Sequence, residues 1–247
     1  MDLGFAFVLA VGFLIGLKHA LEPDHVIAVS TIAVQSQSLW RSALAGLYWG
    51  IGHSLTLFLV GMAVLLTRKQ IPEAWTSGIE FLVGLLLIYL GLSTFFSYRR
   101  KRVHAHLHWH GDVAHTHFHA HGHGDLLSGT GASPAEGDFH THTHSVDVSR
   151  VKSLLLGCVH GLAGSAALVL LTLSTVDHWS QGLAYILVFG LGTVGGMFLF
   201  TLLLGVPFAL SARRGGLHRV LVRLTGLVSC LYGCYYMYEF ALAAGLF

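Results

Sequence analysis

Long apolar segments occupy most of this 247-residue sequence and restrict what the chain can fold into. A helix that crosses a bilayer needs about 20 predominantly apolar residues. Six segments reach that length, at about residues 3–34, 43–66, 76–96, 153–173, 182–204 and 220–243. The sequence therefore predicts an all-α fold, a polytopic membrane protein with about six transmembrane helices.

Charge and composition exclude several other classes of protein. Only 11% of the residues are charged, against about 25% in soluble domains, so the chain has too few charges to cover a water-facing surface. This shortage of charge argues against a soluble enzyme. The net charge of +2 is too small for a nucleic-acid partner, and the expected environment is a lipid bilayer.

A polar stretch at residues 99–150 separates the third and fourth apolar segments. It contains 12 of the 18 histidines, many in alternation with small residues, and has too few apolar residues to form a core, so a disordered loop is expected. This composition predicts a low-specificity metal buffer. A cytoplasmic metallochaperone that docks on the loop is a candidate partner.

The basic residues set the expected orientation. If the spans alternate, only Arg68 and Lys69 fall on one side. The other side receives Arg41, Arg99, Arg100, Lys101, Arg102, Arg150, Lys152, Arg213, Arg214, Arg219 and Arg223. The positive-inside rule makes the richer side cytoplasmic. We therefore expect an inner (plasma) membrane protein with a cytoplasmic His-rich loop and both termini outside.

The two halves of the chain resemble each other at an offset near 141 residues. The hexapeptide 16–21 matches 157–162, 50–53 matches 190–193, and Gly84 and Gly91 match Gly226 and Gly233. Three spans per copy is an odd number, so the second copy must be inverted, an architecture typical of secondary transporters. We predict two inverted three-helix repeats, at 1–98 and 151–247, flanking the loop.

Five ionisable residues crowd into positions 18–25 of the first apolar segment. Such residues are costly in lipid and are functional candidates by default. In an unbroken helix His19 and His25 would point about 240° apart, but Pro23 should break the helix near His19. The break would allow His19, Asp24 and His25 to converge on one metal ion.

Two histidines in other spans lie at a similar expected depth. His25 and His53 are each about 11 residues, and His160 about 8, from the cytoplasmic ends of their segments, which places all three near the bilayer centre. Metal coordination is favoured for this set together with Asp24. For each histidine alone, an interhelical hydrogen bond is an equal alternative.

These motifs resemble those of the nickel/cobalt transporter (NiCoT) superfamily. His19-x4-Asp24-His25 looks like its H-x4-D-H signature, and 50–54 resembles its second-helix motif. The segment 157–165 and the six-span layout are similar to its UreH-like branch. The resemblance implies permeation of Ni²⁺ or Co²⁺ with His19, Asp24, His25 and His53 as ligands. Residues 21–23 also resemble the efflux branch with a His-rich loop, which has Gly at position 24.

These features predict transport of a divalent transition metal, Ni²⁺ or Co²⁺, at His19, Asp24, His25, His53 and His160, with uptake slightly favoured. No catalytic residue and no resident cofactor are expected, because the metal is cargo. Three alternatives remain open: a Ni/Co efflux permease, a membrane-bound nickel chaperone or urease accessory protein, and an oxidoreductase that uses Cys158, Cys230 and Cys234.

Overall fold

The computed structural model describes residues 3–35, 38–67, 72–100, 104–110, 113–119, 148–163, 178–212 and 215–243. Within these ranges the chain forms helices and one β-hairpin, and the prediction of an all-α polytopic protein is confirmed for its membrane part. In chain order the elements are α1 (Leu3–His19), α2 (Pro23–Ala33), α3 (Leu39–Thr67), α4 (Glu73–Arg100), β1 (His104–His110), β2 (Val113–His119), α5 (Val148–Ala163), α6 (Trp179–Ser211) and α7 (Gly215–Ala243).

Among the described residues, four helices are long and apolar enough to cross a membrane, and there are five such spans if the bent pair α1–α2 is taken as one. These agree with the first, second, third, fifth and sixth predicted segments. For the fourth, α5 supplies the part up to Ala163, and 164–173 lie outside the described residues. Large apolar side chains such as Leu66, Leu191 and Leu210 are exposed, as suits helices that face lipid.

The first span is broken where Pro23 predicts it. α1 ends at His19 and α2 begins at Pro23, with a bend of 57° between them. Proline is tolerated at the first position of a helix because that residue needs no backbone donor. The ladder resumes when Val26 N–H donates to the carbonyl of Glu22 at 3.0 Å. The break therefore puts the last residue of one helix beside the first turn of another.

The helices pack reciprocally between the two halves of the chain. α1 packs on α6, α5 packs on α3, α3 packs on α6, and α4 packs on α7. Exchanging each helix for its counterpart in the other half reproduces the same set of pairs. The division into repeats at 1–98 and 151–247 stays a prediction, and this pattern favours it.

Glycines allow the reciprocal contacts to be close. A methyl group on Gly16 would overlap the carbonyl oxygen of Phe189, and one on Gly157 would overlap that of Trp49. In the same way Gly52 abuts the backbone of α5, and Gly192 abuts that of α1. Small residues at helix interfaces let backbones approach closely in membranes, which is why the matched glycines recur in both halves.

The His-rich loop contains a hairpin. β1 pairs with β2 in antiparallel register, with His104 opposite His119, His106 opposite His117, and His108 opposite His115. The expectation of disorder differs from this finding at 104–110 and 113–119. The alternation of histidine with other residues has the period of a β-strand, so the same pattern is compatible with pairing. Residues 120–147 lie outside the described part of the chain.

Candidate metal site

Four helices bring the predicted ligands to one place. His19 is the last residue of α1, Asp24 and His25 lie in the first turn of α2, His53 lies midway along α3, and His160 lies near the end of α5. All five side chains are buried. The structure therefore brings together every side chain that the sequence nominates as a ligand, although they are up to 141 positions apart in the chain.

Two short contacts join donors from different helices. His19 Nε2 lies 3.0 Å from His53 Nε2, and His160 Nε2 lies 2.9 Å from Asp24 Oδ2. Metal–nitrogen bonds are about 2.0–2.1 Å long. If two donor atoms about 3 Å apart were both bound to one metal ion at that bond length, the angle between the two bonds would be about 90°. Both spacings thus suit adjacent positions around a metal ion.

His25 lies between these two contacts. Its ring centroid is 4.7 Å from that of His19, 4.8 Å from that of His53 and 4.4 Å from that of His160. Its Nδ1 is 3.4 Å from Asp24 Oδ1, without hydrogen-bond geometry. His25 is therefore the side chain that contacts all the others.

Several buried nitrogens in the cluster have no hydrogen-bond partner among the described residues. They are both ring nitrogens of His25, Nδ1 of His53 and Nδ1 of His160. A buried polar atom without a partner costs about 1–3 kcal/mol, and an orphaned group of this kind calls for an explanation. A bound cation would interact with the lone pairs of imidazole nitrogens that accept no hydrogen bond.

The donors fall into two groups that share one member. His19, His25 and His53 form one group, and Asp24, His25 and His160 form the other. Within each group the ligand atoms all lie within 4.8 Å of one another. The first group offers imidazoles alone, whereas the second adds a carboxylate, so the two differ in charge.

Sequence reasoning did not assign a role to the residues around the cluster. Glu22 Oε2 lies 2.9 Å from His19 Nδ1, and its side chain is half exposed. When Glu22 accepts the Nδ1 proton of His19, the lone pair on His19 Nε2 is directed at the cluster. Carboxylates commonly hold metal-binding histidines in this way. Phe189 packs 5.5 Å from the His19 ring, and Trp49 packs 5.6 Å from the His160 ring. Trp49 lies four residues before His53, so helical spacing was the signal for it.

Other ionisable and thiol groups lie away from the cluster. Glu80 accepts a hydrogen bond from the Tyr236 hydroxyl between α4 and α7. It is therefore an interhelical hydrogen-bond partner. Cys230 points at the Ile88 carbonyl, 3.7 Å away, and Cys234 is exposed. Neither thiol belongs to either group of donors.

Comparison with known proteins identifies the family of this chain. The chain is 46% identical over 240 residues to the urease accessory protein UreH of Bacillus sp. (strain TB-90), covering 97% of this chain and 94% of that protein. The chain belongs to the UreH-like branch of the nickel/cobalt transporter family. The family resemblance seen in the sequence is thus confirmed, and the protein is a multi-pass membrane protein of a nickel-related family.

A second relative shares only part of the chain. An 85-residue stretch, 32% of this chain, is 33% identical to the chloroplast protein FOR GROWTH AND FERTILITY 1 of Arabidopsis thaliana and spans 22% of that protein. No protein-family model and no solved structure matches the chain. The family assignment therefore rests on the UreH relative, which matches along almost the whole length.

Proposed function

We propose that this protein carries Ni²⁺ or Co²⁺ across the membrane, and that the ion is bound on its way by His19, Asp24, His25, His53 and His160. The observation that carries the proposal is the convergence of these five buried donors at a break between two half-helices. Discontinuous helices that converge on a site near the bilayer centre are typical of secondary transporters. Imidazole with carboxylate suits late first-row divalent metals and not Ca²⁺ or Mg²⁺.

Charge supports a divalent cargo. The carboxylate of Asp24 contributes one negative charge to a buried cluster of imidazoles. A dication would be partly neutralised there and would keep a net positive charge while bound. A site that neutralised the ion completely would hold it too tightly to release it, and passage requires binding that is both favourable and reversible.

The direction we propose is uptake, with both termini outside and the His-rich loop in the cytoplasm. A membrane potential of 100 mV, inside negative, favours inward movement of a divalent ion by about 4.6 kcal/mol. Uptake needs no further driving force on this basis, whereas export would need coupling to another gradient.

We propose that the His-rich loop buffers metal ions on the cytoplasmic side of the membrane. The register of β1 and β2 places three pairs of histidines directly opposite each other, and directly opposite residues lie on one face of a strand pair. Histidine is a common ligand of divalent transition metals, and we infer that this run of histidines binds the ions that leave the pore.

A second candidate function is membrane-bound delivery of nickel without conduction. The observation that favours it is the name of the 46%-identical relative, a urease accessory protein. In that case the cluster would hold an ion for transfer to a soluble partner, and no ion would cross the bilayer.

Flux into sealed proteoliposomes tests the proposal. Purified protein is reconstituted, and initial entry of radioactive Ni²⁺ is measured with and without an imposed inside-negative potential, then in the reverse gradient. His178→Ala is the matched control, because His178 is an exposed histidine at the start of α6, outside the cluster. Saturable flux that survives in this control and is lost in His25→Ala is the expected result. Metal binding without flux in either direction would favour the delivery function.

A further inference from the structure

Two groups of donors meet at a single shared side chain, His25. We propose that the cluster holds its metal ion in two successive half-sites and that the ion passes between them while His25 stays bound. The imidazole half-site is His19, His25 and His53, and the carboxylate half-site is Asp24, His25 and His160. The inference rests on the proposed function, since it takes the metal ion to be the cargo.

The distances separate the half-sites. Two donors bound to one ion at about 2.1 Å are at most about 4.2 Å apart. Within the half-sites the close pairs are 3.0 Å and 2.9 Å apart. Between ring centroids, the spacing of His53 and His160 is 5.9 Å, against 5.2 Å for His19 and His53 and 4.4 Å for His25 and His160. The ligand atoms lie within 4.8 Å of one another in each half-site taken separately. An ion seated between His19 and His53 therefore has His25 within reach and leaves the Asp24–His160 pair intact.

The shared ligand is suited to a transfer. Both ring nitrogens of His25 lack hydrogen-bond partners among the described residues, and its ring contacts His19 and His53 on one side and His160 on the other. No hydrogen bond has to be broken for His25 to bind an ion in either half-site. A ligand held in common means that the ion is never fully released during the step.

Both half-sites are buried. The His19 side chain is 10% exposed and that of Asp24 is 12% exposed, while those of His25 and His160 are 1% exposed. An ion that passes from one half-site to the other therefore stays within the buried cluster.

The repeat offset gives the half-sites a structural counterpart. His19 and His160 occupy equivalent positions in the hexapeptides 16–21 and 157–162, at an offset of 141. Gly16 contacts the backbone of α6, and Gly157 contacts the backbone of α3 in the same way. His19 and His160 each lie about one helical turn after the glycine that makes this contact. When one half of the molecule moves against the other, His19 moves together with His25, because both belong to the first half, and His160 changes its position relative to His25.

Binding of Co²⁺ to full-length protein in nanodiscs tests the half-sites. His25→Ala removes the shared ligand and leaves the loop histidines, so it supplies the background to be subtracted. The two double variants are H19Q/H53Q and D24N/H160Q, which keep side-chain size, and each is also measured for Ni²⁺ flux and thermal unfolding. We expect about one Co²⁺ above background in wild type and in each double variant, with different visible absorption bands, and loss of flux in both variants.

Each other outcome has a definite meaning. If both double variants fall to the His25→Ala background while unfolding as wild type does, the five donors form one site, and the half-sites are overturned although transport stands. If one double variant binds and the other does not, a single half-site exists and the transfer is overturned. If either double variant transports at the wild-type rate, the cluster is not the pathway, and the proposed function fails with it.

Discussion

Replacing Asp24 with asparagine removes the only carboxylate among the five donors and keeps the shape of the side chain. Asp24 Oδ2 lies 2.9 Å from His160 Nε2 in a buried setting, and an amide oxygen can still accept a hydrogen bond there. What the variant loses is one negative charge beside the ion. The effect on metal binding therefore measures charge and not packing.

The magnitude follows from the cost of an uncompensated buried charge. Removing one partner of a buried ion pair costs about 3–5 kcal/mol. At about 1.4 kcal/mol for each tenfold change in affinity, Asp24→Asn should weaken Ni²⁺ binding by roughly two to three and a half powers of ten. Flux at trace metal should fall by the same factor, because the rate there is proportional to the fraction of protein that holds an ion.

The assay is the initial rate of Ni²⁺ entry into proteoliposomes as a function of free Ni²⁺, at matched protein abundance. Asp24→Glu restores the charge and should recover part of the rate, while His178→Ala should match wild type. Flux in Asp24→Asn within threefold of wild type at trace metal would refute the assignment of this carboxylate to the ion path.

Three further predictions concern the scaffold and the loop. Pro23→Ala should let α1 continue into α2 as one helix, which would separate His19 from His25. Ni²⁺ affinity should then fall with little change in thermal unfolding. An unchanged Ni²⁺ affinity would show that the helix break does not build the site. Gly157→Ala drives a methyl into the Trp49 carbonyl and should lower the free energy of unfolding by about 1–3 kcal/mol, whereas Gly195→Ala, with open space around it, should be neutral. Deleting 104–144 removes 12 histidines. The deletion should lower the number of metal ions bound per protein severalfold and leave the maximal rate of Ni²⁺ transport unchanged. Loss of transport at saturating Ni²⁺ would show that the loop is part of the transport pathway.

The fold could be predicted from the sequence where one physical constraint dominates. Lipid requires long apolar helices with internal backbone bonding, so the spans could be located from composition alone. The break needed only Pro23, because a proline inside a helix removes a donor and clashes with the preceding turn. The candidate ligands followed from the cost of burying ionisable groups in lipid, because this cost makes a buried His25 or His53 hard to explain without a function.

The remaining features depend on contacts that no local pattern encodes. The division of the donors into two groups depends on the angle between α1 and α2 and on how α3 and α5 pack beside them. The hydrogen bond between Glu80 and Tyr236 joins residues 156 positions apart, which no local pattern indicates. In the loop, alternating histidines fit both a disordered chain and a strand, because neither state requires an apolar face.

The repeat explains the scaffold better than it explains the chemistry. His19 has a histidine counterpart in His160, but the counterpart of His53 is Thr193, whose hydroxyl donates to the backbone of Gly16 at 3.2 Å. Four of the five donors therefore come from the first half of the chain, and the second half contributes one donor and the surface against which the first half packs. A pair of equivalent halves can exchange conformations at equal cost, but a cluster placed unequally between them would bind the proposed ion with different ligands in each arrangement. That difference in ligands is what would allow a change of shape to alter affinity, as carriage of an ion requires.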